Sequence, residues 1–126
     1  MKQDTAAKMM ISTAVVFMGF ALTFGLFVAL KYIYPNIGNI EYLSAPRMRM
    51  WHTTSILYGW LLPAGMGILL YIMPRILHTK LFSELLGVIT GVLYFVSIIG
   101  GLIGILLGNV KNIEYGELGS PYDYML

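Results

Sequence analysis

The 126-residue chain contains no cysteine. It can form no disulfide and no thiolate metal site, and it has no C-x-x-C-H sequence for covalent porphyrin attachment. Charge is nearly as scarce. Asp, Glu, Lys and Arg make up 11% of the residues, where a soluble domain carries about a quarter. The formal net charge of +2 is small and scattered, which argues against a nucleic-acid surface. There are only two histidines, too few for a copper site that needs several. Low-complexity tracts and internal repeats are also missing.

What the chain does have is apolar length. It is 58% hydrophobic, with a mean hydropathy of +0.77. Three stretches hold no Asp, Glu, Lys or Arg: Met9 to Leu30, Met50 to Pro74, and Leu85 to Val110. Each exceeds the roughly 20 residues a helix needs to cross the hydrocarbon layer. The expected fold is all-α: an integral membrane protein with three transmembrane helices, forming part of a larger helical bundle. The spans are placed at about 9–34, 50–74 and 83–110, in a single three-helix segment over 1–126. The first apolar run is longer than the 7 to 15 residues of a secretory signal core. It closes on Lys31, Tyr32, Tyr34 and Pro35, an interfacial anchor followed by a helix stop. It is expected to stay in the mature protein.

Three crossings put the termini on opposite sides. One side holds Lys2, Lys8, Arg75 and Lys80 against Asp4 and Glu84. The other holds Lys31, Arg47, Arg49 and Lys111 against Glu41, Glu114, Glu117 and Asp123. The basic residues tie, so the positive-inside rule does not decide. Setting Arg47 and Arg49 aside for an internal anion breaks the tie and places the N-terminus in the cytoplasm. The outer side then gathers Arg47, Arg49, His52, Glu114 and Glu117. Within the second span Pro63 removes a backbone donor and should kink the helix unless a local adjustment intervenes. In the third, Gly100, Gly104 and Gly108 recur every four residues, a stripe that lets a helix or a flat ring approach the backbone.

His52 stands just inside the second span. The plain reading is an interfacial histidine bonded to water or a carbonyl, and position alone favours it. Ionisable residues inside spans, however, are functional candidates by default. Arg47 and Arg49 precede His52, and Ser55, Gly59 and Trp60 come after it. A neutral imidazole in an apolar slot is a good axial ligand for heme iron. Arginine forks at the surface suit the two carboxylates of a b-type heme. The other histidine, His78, lies 26 residues on, roughly 39 Å along a helix. It cannot share a heme with His52 and reads as a loop residue. A second histidine ligand has to come from another polypeptide.

Glu114 and Glu117 are spaced i, i+3 and share a face if the third helix reaches them. Two readings stand. One is a solvated amphipathic tail, the commoner fate of such a pair. The other is a hard-cation site suited to calcium. Gly116 and Gly119 favour a turn as readily as a helix.

The sequence "RMRMWHT" is similar to an R-x-R-x-x-H-T pattern, and "EYGE" to an E-Y-x-E or E-F-x-E pattern, and their order along the chain is shared too. In these features the chain resembles the N-terminal three helices of the catalytic subunit of cbb-type (C-family) heme-copper cytochrome c oxidases and of the related nitric oxide reductases. Tyr71 and Arg75 keep the oxidase spacing after the histidine. "WLLPAGMGILLYIMP" is similar to a reductase run, W-L-L-x-G-x-M-G…Y-x-x-P, with a one-residue offset. The resemblance implies that His52 ligates the iron of a low-spin heme b and that Arg47 and Arg49 meet its propionates. It also implies that Glu114, and less directly Glu117, lie near a calcium ion. By the same resemblance the cofactors are heme b and calcium, and the membrane is the bacterial inner membrane, with a periplasmic C-terminus. Family members continue for about nine more helices. This chain then reads as the first piece of a split catalytic subunit, not catalytic alone. Its partners are a companion chain carrying the remaining helices, a membrane-bound c-type cytochrome subunit and the lipid bilayer, with no nucleic acid. The alternatives are the same role in a nitric oxide reductase, or a heme-free structural accessory subunit. A small transporter is disfavoured because no span carries a mid-membrane acid.

Overall fold

The computed structural model describes residues 3–111 and 113–124, and Lys2 of the charge balance lies outside them. Three helices are long and apolar enough to cross a membrane: Thr5–Ile33, Ala45–Ile76 and Glu84–Leu107. The shortest, at 24 residues, is about 36 Å long, against a hydrocarbon layer of about 30 Å. Among the described residues the only β pairing is an isolated antiparallel bridge between Val110 and Leu118. The expected all-α membrane fold is therefore what forms.

The helix ends have local causes. The second span starts at Ala45, with Pro46 in its first turn, where a missing N–H has no helical partner to lose. Arg47 and Arg49 are therefore helical. The second span ends in a Schellman motif. His78 takes φ +50°, its N–H reaches the Arg75 carbonyl at 3.3 Å, and the Thr79 N–H reaches that of Pro74 at 2.9 Å. The third span ends the same way on Gly108 at φ +88°. Here the Gly108 N–H donates to Ile105 at 3.1 Å and the Asn109 N–H to Gly104 at 2.8 Å. The glycine, free of a Cβ, halts the helix before the acidic tail.

Packing is set by residue size. Ala7, Ala14 and Ala21, seven apart on the first span, are almost fully buried, and Met10, Phe17 and Phe24 repeat at the same interval. This small-and-large heptad is a coiled-coil seam written in a membrane helix. Phe17 stacks on Phe95 of the third span with ring centroids 5.7 Å apart. Tyr94, Ile98, Leu102 and Ile105 complete the central cluster. At the N-terminal face, Glu84 caps a helix other than its own. Its carboxylate accepts the Asp4 N–H at 2.8 Å and the Ala6 N–H at 3.0 Å, satisfying free donors at the start of the first span.

Pro63 produces a local widening. Residues Ser55–Leu61 form a π-helical segment just ahead of it. The Leu62 N–H bonds to Leu57, five residues back. In that register the Tyr58 carbonyl would accept from residue 63, which is proline and has no donor. The third span supplies it: the Tyr94 hydroxyl donates to the Tyr58 carbonyl at 2.7 Å. The carbonyl orphaned by the proline is thus paired by a neighbouring span, the tolerance mechanism for proline in lipid.

The tail after the third span folds back over the glycine stripe. A Cβ on Gly100 would overlap the Tyr122 ring, and one on Gly101 would overlap Leu118. A flat ring does approach the stripe, and it belongs to this chain. Ser97 donates to the Tyr122 carbonyl at 2.8 Å, fixing the return.

Candidate functional site

His52 points at the first span. Its Nδ1 lies 2.7 Å from the Ala21 carbonyl. A carbonyl only accepts, so Nδ1 carries the proton and Nε2 keeps its lone pair. Nε2 meets no hydrogen-bond partner among the described residues. The ring lies on Gly25, where an added Cβ would come within 2.5 Å of Cε1 and 2.7 Å of Nδ1. Next to it Trp51 packs on Phe24, with centroids 3.8 Å apart. A carbonyl bond to one nitrogen also suits the plain interfacial histidine. The unpaired second nitrogen in an apolar setting is what suits an axial ligand, since ligating histidines ordinarily donate their other N–H to such an acceptor.

The two arginines diverge from His52. Arg47 turns to the end of the third span: Nη1 donates to the Leu106 carbonyl at 3.0 Å, and Nη2 pairs with Glu41 at 2.9 Å. Glu41 is largely solvent-exposed, its side chain 79% accessible, so that pair is weak and open to exchange. Arg49 turns to the C-terminal tail, where Nη2 donates to Glu117 Oε1 at 3.2 Å. Glu117 is buried, and its Oε2 accepts from the Thr53 hydroxyl at 3.2 Å. One carboxylate thereby ties the tail to two residues near His52 on the same helix.

Glu114 and Glu117 do not share a helical face, because the helix has ended at Leu107 and Tyr115 takes φ +61° in a turn. Glu114 is exposed while Glu117 is buried beneath Arg49. Among the described residues no group of three or more His, Cys, Asp or Glu converges as a metal would require. His78 is an exposed cap residue at the other end of the second span.

Sequence reasoning singles out the imidazole but not its seat. Ala21 and Gly25 form a small-x-x-x-small pair on the first span, and that spacing is the signal for close helix approach. Tyr58 carries no comparable signal. Its hydroxyl donates to the Tyr115 carbonyl at 2.7 Å, so the widened segment below His52 is bonded to both the third span and the tail.

Over residues 5–125 the chain matches the family model described as cytochrome c and quinol oxidase polypeptide I. No curated protein and no solved structure matches it. A match across nearly the whole length, on a three-span helical membrane segment, establishes that the chain belongs to the cytochrome c and quinol oxidase polypeptide I family.

Proposed function

We propose that His52 gives one axial imidazole to a low-spin heme b, and that Arg47, with Arg49, neutralises its propionates at the outer membrane face. When bound, such a heme supplies one-electron transfer. The observation that carries the reading is the Nδ1 bond to the Ala21 carbonyl, which leaves Nε2 as the free donor nitrogen. The Ala21 carbonyl orients the ring and raises the basicity of Nε2. Gly25 gives the ring its room. Arg47 is 21% accessible and donates to the Glu41 and Leu106 carbonyls as well as to the exposed Glu41 carboxylate, whereas Arg49 is 44% accessible with one bond, to buried Glu117. Calcium at Glu114 and Glu117 is a proposal that the resemblance alone supports, and Glu117 would have to hold the ion while it accepts from Arg49.

In this reading the chain is the electron-entry piece of a heme-copper oxidase catalytic subunit and is not catalytic alone. A companion chain brings the second iron ligand and the oxygen-reducing centre. A membrane-bound c-type cytochrome subunit delivers electrons, and the assembly sits in a bacterial inner membrane with this chain's N-terminus in the cytoplasm. The oxidase is preferred to a nitric oxide reductase on the description of the matching family. Copper in the companion chain agrees with this choice, and non-heme iron there reverses it.

The test is a reduced-minus-oxidised spectrum of the purified complex carrying His52→Ala. Loss of the low-spin b signal from an assembled complex is expected. An unchanged spectrum overturns the heme reading and leaves a structural accessory subunit.

A further inference from the structure

At the membrane face opposite His52, the second and third spans enclose an open groove of about 580 Å³. Its walls are apolar: Met66, Leu70 and Met73 on one side, Leu86 and Thr90 on the other, with Met10 of the first span behind. The linker from Thr79 to Ser83 forms its mouth. Lys80 is exposed there, and among the described residues it has no acidic partner. Phe82, the next aromatic along the lip, is 96% exposed.

Size and charge select the occupant. From Met66 to Leu77 the groove wall runs twelve residues, about 16 Å at helical rise. One leaflet of hydrocarbon is about 15 Å deep. A single hydrocarbon chain matches that depth. The cation at the mouth stands at headgroup level, where a basic residue attracts anionic lipid, and an aromatic ring beside it suits the same layer.

We propose that this groove seats an acyl chain of an anionic glycerophospholipid, with Lys80 receiving the phosphate. The site lies apart from His52, and its standing does not depend on the heme reading.

The test uses the intact complex in nanodiscs doped with phosphatidylglycerol or phosphatidylcholine carrying a photoreactive acyl chain. Peptides from the second and third spans are then mapped by mass spectrometry. Phosphatidylglycerol should label residues 66–77 more strongly than phosphatidylcholine. Lys80→Glu should reduce that preference about fivefold or more, and Thr90→Trp, which narrows the deep end of the groove beside Met66 and Leu70, should weaken labelling of residues 66–70 by both lipids. Equal labelling by the two lipids, or labelling of residues 66–70 unchanged by Thr90→Trp, overturns the proposal. So does protection of residues 66–77 from both lipids, the result expected if a companion helix covers the groove.

Discussion

At the scale of single residues, the molecule turns on which nitrogen of His52 is left free. The Ala21 carbonyl decides it from another helix, and Gly25 makes the contact possible. Gly25→Ala places a Cβ 2.5 Å from the ring. Helix backbones packed this closely cannot both stay, and overpacking of this kind costs about 1–3 kcal/mol. We expect the three helices to assemble with a lowered melting midpoint in detergent. The b-type spectrum of the complex should shift or weaken, because the ring leaves the Ala21 carbonyl. An unaltered spectrum with an unaltered midpoint would show that the seat is unimportant. His52 was legible in the sequence because an ionisable group inside a span stands out. Ala21 was not, because a backbone carbonyl has no letter of its own.

At the scale of elements, the second span is held in its widened form by a neighbour. The Tyr58 carbonyl has no donor in its own helix, since the position that would serve it is Pro63, and Tyr94 takes over. Tyr94→Phe should then leave a buried acceptor unpaired and cost about 1–3 kcal/mol. Pro63→Ala restores an N–H at that position. In its background the same Tyr94→Phe change should cost much less. Thermal unfolding of the four variants measures the coupling, and additive effects would contradict the assignment. The site of disturbed hydrogen bonding was readable from the proline, where a π segment forms; the partner was not, because Tyr94 sits in an apolar run where any residue could face any neighbour.

The N-terminal end of the first span offers an element-scale test by pH. Asp4 receives both terminal nitrogens of Arg75, at 3.1 and 2.8 Å. That hydrogen bonding outweighs desolvation and holds the Asp4 carboxyl below its ordinary value of 3.8. A lowered carboxylate pKa stabilises the fold above the unfolded value, and the contribution is lost as pH falls through the folded one. Hydrogen exchange in the first helical turn should therefore quicken as pH drops below about 3.8, after correction for intrinsic rates. Because Glu84 also accepts from this turn, the comparison is made in a Glu84→Gln background, where Asp4→Asn should remove that step and leave faster exchange at neutral pH. A Glu84→Gln profile identical to that of the double variant would remove the clamp from the account.

At the scale of the whole molecule, class and span number were plain from hydropathy, while the faces of the spans were not. In water a helix declares its buried side by polarity; in lipid both sides are apolar and only size distinguishes them. The Ala7, Ala14, Ala21 seam was present in the sequence, but it needed a partner helix to give it meaning. The acidic tail was undecided for a related reason. Its i, i+3 spacing left a helical face and a turn equally open, and the turn is what forms: Gly108 ends the helix first and Glu117 is drawn under Arg49. One consequence of the architecture is independent of these details. His52 and His78 stand 26 residues apart, roughly 39 Å along the second span's axis, so a single copy cannot clamp one iron from both sides. Expressed without other oxidase chains, the protein should therefore show at most a high-spin, singly ligated heme. On the proposed heme reading, coexpression with a chain that supplies a second axial ligand should convert it to the low-spin form. A low-spin signal from the isolated chain would mean that two copies present His52 to one another, and the companion ligand would then be unnecessary.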